Sequence, residues 1–293
     1  MGKVLVIGAG PAGVSAALYA RRGGAEVAVV HKGMNTGALA RAELIENYYG
    51  LSEPVSGAEL ECRGMAGARA LGVEFIEDEL VELSYGDDFK RFIAKSAQAS
   101  YAAEAVIIAA GASRRTLPLP GIKEFEGHGV SYCATCDAFF YRGKIAAVLG
   151  AGDYAMHEAE ALLPHAEKVY LFTNGEETGA GRIPAGVEVC DERLASLQGE
   201  GRVEKAVFEG GRELTLDGLF IALGTAGSTE LARKVGVMLE GGNIRIDEHM
   251  ATNVPGIFAA GDCTGGLLQI AKAVYQGAEA GLGAVKYLRG KNT

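Results

Sequence analysis

The sequence predicts a mixed α/β protein of two Rossmann-like nucleotide-binding units, and three observations carry that expectation. An apolar run ends in closely spaced glycines and opens into a helical pattern at Gly8, and the same pattern restarts at Gly150. At 293 residues the chain is longer than most single cores, so two domains, or one inserted in the other, is the default organisation. Its 43 glycines follow no collagen-like period and therefore point to tight turns and close backbone approaches, as nucleotide-binding sheets require.

The elements follow in order. Lys3 to Ile7 reads as a strand running into Gly8-Ala9-Gly10-Pro11-Ala12-Gly13, then a helix through Arg22 and a second strand from Glu26 to Val30. In such an opening the first glycine permits the tight turn, the second lets a pyrophosphate approach the backbone, and the third lets helix and strand pack closely. A strand from Ala105 to Ala110 closes on Gly111. Lys144 to Leu149 is a buried-strand run ending in Gly150-Ala151-Gly152-Asp153-Tyr154-Ala155, followed by a helix to Leu163, a Pro164 stop and a strand from Lys168 to Phe172. Two dinucleotide-type units in one chain are far more specific than one. Arg202 to Leu223 reads as β-hairpins and a closing strand. After Gly241-Gly242, a strand within Thr252 to Asp262 delivers an aspartate at its carboxyl end, and a helix runs from Leu268 to Leu288.

Composition excludes some functions. A net charge of -9 argues against a nucleic-acid partner, because phosphate binding needs a basic surface. No apolar run is long enough to span a bilayer, and the acidic balance suits a cytoplasmic protein with no membrane partner. Five cysteines fall at 62, 133, 136, 190 and 263, and only Cys133 and Cys136 are close. That arithmetic favours a reducing compartment with one special pair over an extracellular disulfide framework. The competing readings are half of a zinc site or two buried thiols, but zinc needs four ligands and no second close pair or cysteine and histidine cluster exists, so no metal is expected. A C-x-x-C closes a small ring in which one thiolate attacks, forms a mixed disulfide and is displaced by its neighbour. Asp137 beside the pair is either a capping carboxylate or a group that moves protons as thiol and thiolate interconvert. Cys62, Cys190 and Cys263 read as small buried hydrophobes, and His128 and His157 as structural or solvated.

Together these residues resemble the low-molecular-weight, FAD-dependent thioredoxin reductases over nearly the whole chain. The most specific part is Cys133-Ala134-Thr135-Cys136-Asp137 followed by Ala138-Phe139-Phe140-Tyr141. The resemblance implies that Gly8, Gly10, Pro11, Ala12 and Gly13 bind FAD, with Ala110 and Gly111 at the end of their strand. It places Gly261 and Asp262 at the ribityl chain and Asn47, Gln269 and Ile270 along the cofactor. It implies three-layer ββα domains, with the FAD domain at 1–112 and 242–293 and the dithiol domain, inserted between, at 113–241. It makes Cys136 the flavin-proximal thiol, Cys133 the interchange thiol and Asp137 the acid/base. It also implies a homodimer, with thioredoxin or a thioredoxin-like protein as acceptor. His31 stands where an acidic residue usually binds the adenosine ribose, and is left as a candidate ribose contact.

One departure matters. Family members using NADPH carry a histidine and arginine cluster after the second strand of the inserted domain, whereas this chain has Thr173-Asn174-Gly175-Glu176-Glu177, with no arginine until Arg182. The segment between Glu177 and Val187 is short, and the usual Gly-x-x-Pro-Asn reads Gly224-Thr225-Ala226-Gly227-Ser228. NADPH is therefore not the expected donor. Either Glu176 accepts an NADH ribose over a site kept by Gly150, Gly152 and Ala155, or the site is a relic and ferredoxin or a reduced deazaflavin supplies electrons, as in the branches that lack the NADPH motif. The carboxyl-end Gly265 to Val274 stretch leans toward those branches. Two rivals stay open. A small-molecule dithiol oxidase of the same fold would tend to have histidine where this chain has Asp137, and a non-catalytic redox-sensing flavoprotein would not need the intact pair.

Overall fold

The computed structural model describes residues 2–87, 89–112, 117–178, 182–224 and 226–291. The chain divides into two compact units, one of Met1–Ser113 with Gly227–Thr293, the other of Arg114–Ala226.

In the first unit β1 (Lys3–Ile7) runs through a glycine turn into α1 (Pro11–Arg22) and back into β2 (Glu26–His31), paired in parallel from Lys3 with Glu26 to Ile7 with Val30. Helix α2 (Gly57–Ala70) starts where the Ser56 hydroxyl accepts the Glu59 N–H at 3.1 Å, satisfying an orphan first-turn donor. It leads to β3 (Glu74–Glu77), parallel to β2. A three-stranded antiparallel meander, β4 (Leu80–Tyr85), β5 (Phe92–Ser96) and β6 (Ser100–Ala103), then precedes β7 (Ala105–Ile108), which pairs with β1.

The second unit repeats the plan. It comprises β8 (Val130–Ser131), α3 (Ala134–Asp137), β9 (Ile145–Leu149), α4 (Asp153–Leu162), β10 (Lys168–Phe172) and β11 (Val187–Cys190). The antiparallel strands β12 (Leu194–Gln198), β13 (Lys205–Phe208) and β14 (Glu213–Thr215) follow, then β15 (Gly218–Ile221). The parallel sheet runs β11-β10-β9-β15-β8.

The chain returns to the first unit through α5 (Ser228–Lys234), β16 (Leu239–Glu240), β17 (Asn243–Ile244), β18 (Ile257–Ala259) and α6 (Ile270–Gly290), which completes a parallel sheet of order β18-β7-β1-β2-β3. The sheet strands are apolar on both faces, as buried parallel strands must be: Val4, Val6, Ile107 and Ile108 have no exposed surface. Helices α1 and α6 approach so closely that a Cβ on Gly277 would stand 2.1 Å from the Ala12 carbonyl oxygen. Alanines at 16, 17, 20, 280 and 284 fill the same seam.

The second crossing lies elsewhere than the expected position near Gly242. Residues 227–241 belong with the first unit. Ser228 Oγ donates to the Gly111 carbonyl at 2.9 Å and Tyr85 donates to the Val235 carbonyl at 3.3 Å. Gly241 and Gly242, with φ of 55° and 83°, form the two-residue turn of the β16–β17 hairpin, where Glu240 opposes Asn243. The glycine pair signals a turn inside a unit, which composition alone does not distinguish from a crossing.

Candidate functional site

The first glycine turn meets the requirements of a nucleotide cradle one residue at a time. Gly8 has φ of 106°, and a Cβ there would stand 2.5 Å from the Ala109 carbonyl oxygen. A Cβ on Gly13 would stand 1.8 Å from the Gly8 carbonyl oxygen. A Cβ on Gly10 would meet nothing within 4 Å, so this position is open toward an incoming group. Pro11 occupies the first helical position, and α1 has neither a side-chain cap nor an acidic residue in its first turn, leaving its N–H groups to an anion.

Other candidate cofactor residues gather in this unit. Gly111 follows β7 with φ of 74°, one residue beyond Ala110. Gly261, at φ 86° and ψ −151°, precedes Asp262, and its N–H donates to Gln276 Oε1 at 2.9 Å. Lys272, in the first turn of α6, returns its ammonium to the Gly261 carbonyl at 2.9 Å and to that of Gly265, pinning the loop around Asp262. Sequence reasoning missed Lys272 because nothing local marks a lysine that folds back over its own helix start. Asn47 Nδ2 donates to Gln269 Oε1 at 3.4 Å, which joins two residues 222 positions apart in sequence, and Ile270 opens the helix beside them. His31 ends β2 as a buried ring: its Nδ1 accepts the Gly33 N–H at 3.2 Å and its edge meets Phe75 at 6.0 Å between centroids.

The two glycines make opposite predictions. Gly10→Ala should leave the thermal stability of the apoprotein within about 0.5 kcal/mol while lowering flavin content, because the methyl group enters open space. Gly13→Ala should cost the fold itself several kcal/mol, on the order of other overpacking changes or more. Thermal melts of flavin-stripped protein, set beside flavin titration, separate the two.

In the second unit Cys133 caps α3, its Sγ accepting the Cys136 N–H at 3.2 Å, and the two sulfurs form a disulfide with Cα atoms 5.3 Å apart. Helical spacing brings residue i+3 over residue i, so the sequence interval alone makes the ring closable. Cys133 is 3% exposed whereas Cys136 is open to solvent.

Asp137 Oδ2 accepts the Ser131 hydroxyl at 2.6 Å, and Ser131 Oγ accepts the Cys133 N–H at 3.1 Å, so one hydroxyl ties the carboxylate to the cysteine backbone. Ser131 was not legible in the sequence, since it lies on β8 and reaches the site only because α3 turns back. Burial, with Asp137 and Asp217 adding to it, pushes the Tyr141 hydroxyl up to about 12. Tyr141 therefore stays protonated through the neutral range. Cys190 is buried, as is Cys263, whose thiol burial pushes up to about 12. The expectation for Cys62 is corrected: it is exposed. The buried stripe of α2 is Gly57, Glu61, Met65 and Ala68, and Cys62 lies off it.

The second glycine turn is less hospitable than the first. Gly150 keeps the tight conformation, with φ of 152°, and Ala155 is fully buried. A Cβ on Gly152, however, would meet the Gly224 carbonyl oxygen at 3.3 Å, and Asp153 places a carboxylate in the first turn of α4. Beyond β10, Asn174 turns inward, its Oδ1 accepting the Leu194 N–H at 2.8 Å, while Glu176 and Glu177 are exposed. Arg193 was missed by sequence reasoning: it lies beside Gly175, its Nε 3.4 Å from where a Cβ would be. Residues 179–181 and Thr225, within the shortened segment and the altered Gly224 to Ser228 stretch, lie outside the described residues.

A glycine cradle and a cysteine disulfide, each on its own dinucleotide-type unit, define the class of flavin-linked disulfide oxidoreductases. The profile of the pyridine nucleotide-disulphide oxidoreductases matches residues 2–277, and the chain belongs to that family. Within it, the chain is 35% identical over 300 residues to a thioredoxin reductase of Listeria innocua, covering 97% of this chain and 93% of the relative. Its structure is similar to that of the atypical thioredoxin reductase TRi of Desulfovibrio vulgaris Hildenborough, with a TM-score of 0.92, 38% identity and 99% of both chains covered. It is also similar to a ferredoxin-flavin thioredoxin reductase of Clostridium acetobutylicum, with a TM-score of 0.71, 32% identity, and 99% of this chain and 98% of the other covered. The chain is thus a flavin-dependent disulfide reductase of the thioredoxin reductase kind. Among the described residues, no helix is long and apolar enough to cross a membrane.

Proposed function

We propose that this protein carries electrons from a donor other than NADPH through FAD and the Cys133–Cys136 disulfide to thioredoxin or a thioredoxin-like protein. The observation that carries the donor reading is electrostatic: Asp153, Glu176 and Glu177 stand at the second glycine turn and beyond β10, where a nucleotide's phosphates need basic partners. The ferredoxin-flavin description of the Clostridium relative supports ferredoxin as donor, with deazaflavin as the related alternative. NADH is the second reading, favoured by the retained Gly150 turn and the exposed Glu176 carboxylate.

Each residue then has a task. Gly8, Gly10, Pro11, Ala12 and Gly13 would hold the FAD pyrophosphate against the backbone, and Ala110, Gly111, Gly261, Asp262, Asn47, Gln269 and Ile270 would hold the rest of the cofactor. His31, with Nδ1 already engaged, offers the ribose at most its other nitrogen. When bound, the flavin supplies the two electrons that open the disulfide. Cys136, the exposed sulfur, would be the one that takes electrons from the flavin, and Cys133 the one that attacks the partner's disulfide. That attack forms one S–S bond, breaks the partner's, and releases a partner thiolate, which takes up a proton. Cys136 thiolate then attacks the Cys133 sulfur, re-forms the internal disulfide and releases the second partner thiolate. Asp137 gives and takes protons in these steps. A cytoplasmic homodimer is the accompanying expectation, tested by sedimentation at micromolar concentration.

Turnover of thioredoxin disulfide by flavin-loaded enzyme, with NADPH, NADH, reduced ferredoxin and reduced deazaflavin supplied in turn, tests the whole reading. No thioredoxin reduction with any donor would overturn it. Asp137→Asn should keep its flavin and slow dithiol–disulfide exchange by on the order of 10²–10⁴-fold. Ser131→Ala, which releases that carboxylate and also removes the acceptor of the Cys133 N–H, should slow the same step by roughly tenfold or more, in line with the loss of one charge-assisted and one neutral hydrogen bond. Rapid mixing of the reduced enzyme with thioredoxin measures both.

A further inference from the structure

Two side chains of α4, one turn apart, reach the peptide groups on either side of Cys133. Tyr154 Oη donates to the Tyr132 carbonyl at 3.2 Å, and Glu158 Oε2 accepts the Ala134 N–H at 2.6 Å. Both are inside the protein, Tyr154 with 2% and Glu158 with 1% of its surface exposed. Their i,i+4 spacing puts them on one face of the helix. This helix opens at the second glycine turn, whose nucleotide-binding features are the weaker of the two. We propose that α4 serves the dithiol directly: Tyr154 and Glu158 are positioning residues that clasp Cys133, and Glu158 biases the pair toward the disulfide, making its dithiol form a stronger reductant.

The bias follows from where the carboxylate sits. A cysteine at a helix N-terminus ordinarily has its thiolate stabilised by the first-turn N–H groups. Here Cys133 Sγ takes the Cys136 N–H, but the neighbouring Ala134 N–H is held by a buried acid. A negative charge on that acid, one peptide from the sulfur, opposes a second negative charge on Cys133. Destabilising the thiolate destabilises the reduced form relative to the disulfide, the opposite of the arrangement that makes a dithiol pair a strong oxidant. Further titratable groups near the pair, among the described residues, include Asp137, on α3 itself and hydrogen-bonded through Ser131, Tyr132 immediately before Cys133, and Tyr141 in the following turn, whose raised hydroxyl carries no charge near neutrality. Asp137 acts in the same sense as Glu158, so changing one acid must be read with the other left in place.

This inference rests on the dithiol being the redox centre, though not on the identity of donor or acceptor, and its test uses neither. Flavin-loaded enzyme is equilibrated in buffers of reduced and oxidised dithiothreitol, quenched by alkylation, and the fraction of Cys133–Cys136 disulfide is counted by mass. Glu158→Gln keeps an oxygen for the Ala134 N–H and removes the charge. The expected result at pH 9 is an equilibrium moved about tenfold toward the dithiol, ~30 mV for a two-electron couple, shrinking toward pH 7, where less thiolate is present. Tyr154→Phe, which removes a hydroxyl and no charge, should leave that pH dependence as in the parent. A Glu158→Gln protein that holds its flavin and gives the parent equilibrium at both pH values overturns the bias. Should that variant fail to fold, Cys136→Ser in the parent background answers the same question through the thiolate absorbance of Cys133. Ionisation at or above the ordinary thiol range of roughly 8.5 supports the proposal, and ionisation two or more units below it overturns it. Failure to reduce thioredoxin would sink the proposed function and leave this equilibrium unaffected.

Discussion

Replacing either cysteine of the pair should abolish thioredoxin reduction, by on the order of 10⁴-fold or more, and the two variants should fail in different ways. In Cys136→Ser the thiol of Cys133 remains. If it is the interchange thiol it still attacks thioredoxin's disulfide, but nothing resolves the mixed disulfide, and a covalent complex accumulates that a reductant releases. In Cys133→Ser the remaining Cys136 should give no such complex. The structure presents Cys136 to solvent and hides Cys133 in the oxidised state, so the expected assignment requires Cys133 to be uncovered once the disulfide opens. Non-reducing electrophoresis of each variant with oxidised thioredoxin separates the outcomes, and a complex formed only by Cys133→Ser would reverse the roles.

The second large effect concerns the donor. Without its basic partners the 2′-phosphate of NADPH loses charge-assisted hydrogen bonds and meets Glu176 and Glu177, each effect being worth roughly 1–3 kcal/mol. Flavin reduction by NADPH should therefore be slower by about 10²-fold or more than a matched site would allow, and stopped-flow bleaching at 450 nm reads it. If only phosphate recognition is lost, NADH reduces the flavin quickly. If the cleft is a relic, both nucleotides fail and ferredoxin or deazaflavin succeeds. Arginines are best introduced at Glu176 and Glu177, because the Asn174 side chain is committed to the Leu194 amide and its backbone has φ of 54°. They improve NADPH only if the cleft beside Gly152 and Gly224 is open. Rapid, saturable reduction of the parent enzyme by micromolar NADPH would reject this reading, and Arg193, beside Gly175, would then be the cation to remove next.

Motifs whose chemistry is local were legible without coordinates. A glycine turn requires glycine for backbone reasons that any sequence displays, so both dinucleotide-type units, their strands and their helices could be read directly. The C-x-x-C interval is likewise a property of one helical turn, and a disulfide forms there. What composition could not show was which segment an ambiguous signal serves. Gly241-Gly242 looks the same as a crossing and as a hairpin turn, and only the pairing of Glu240 with Asn243 decides between them. Cys62 looks the same as a buried cysteine until the stripe of α2 is known.

The amino-acid sequence by itself determined the two-unit α/β plan, the cysteine pair with Asp137 beside it, and the absence of a histidine and arginine cluster after β10. Each depends on residues adjacent in the chain, where steric and electrostatic constraints act over a few bonds. Only the tertiary structure decided that Ser131 holds Asp137, that Tyr154 and Glu158 clasp Cys133, that Asn47 meets Gln269, and that Arg193 stands beside Gly175. These are hydrogen bonds and approaches between segments that packing brings together, and no spacing rule relates a side chain to a partner that a different strand or helix delivers.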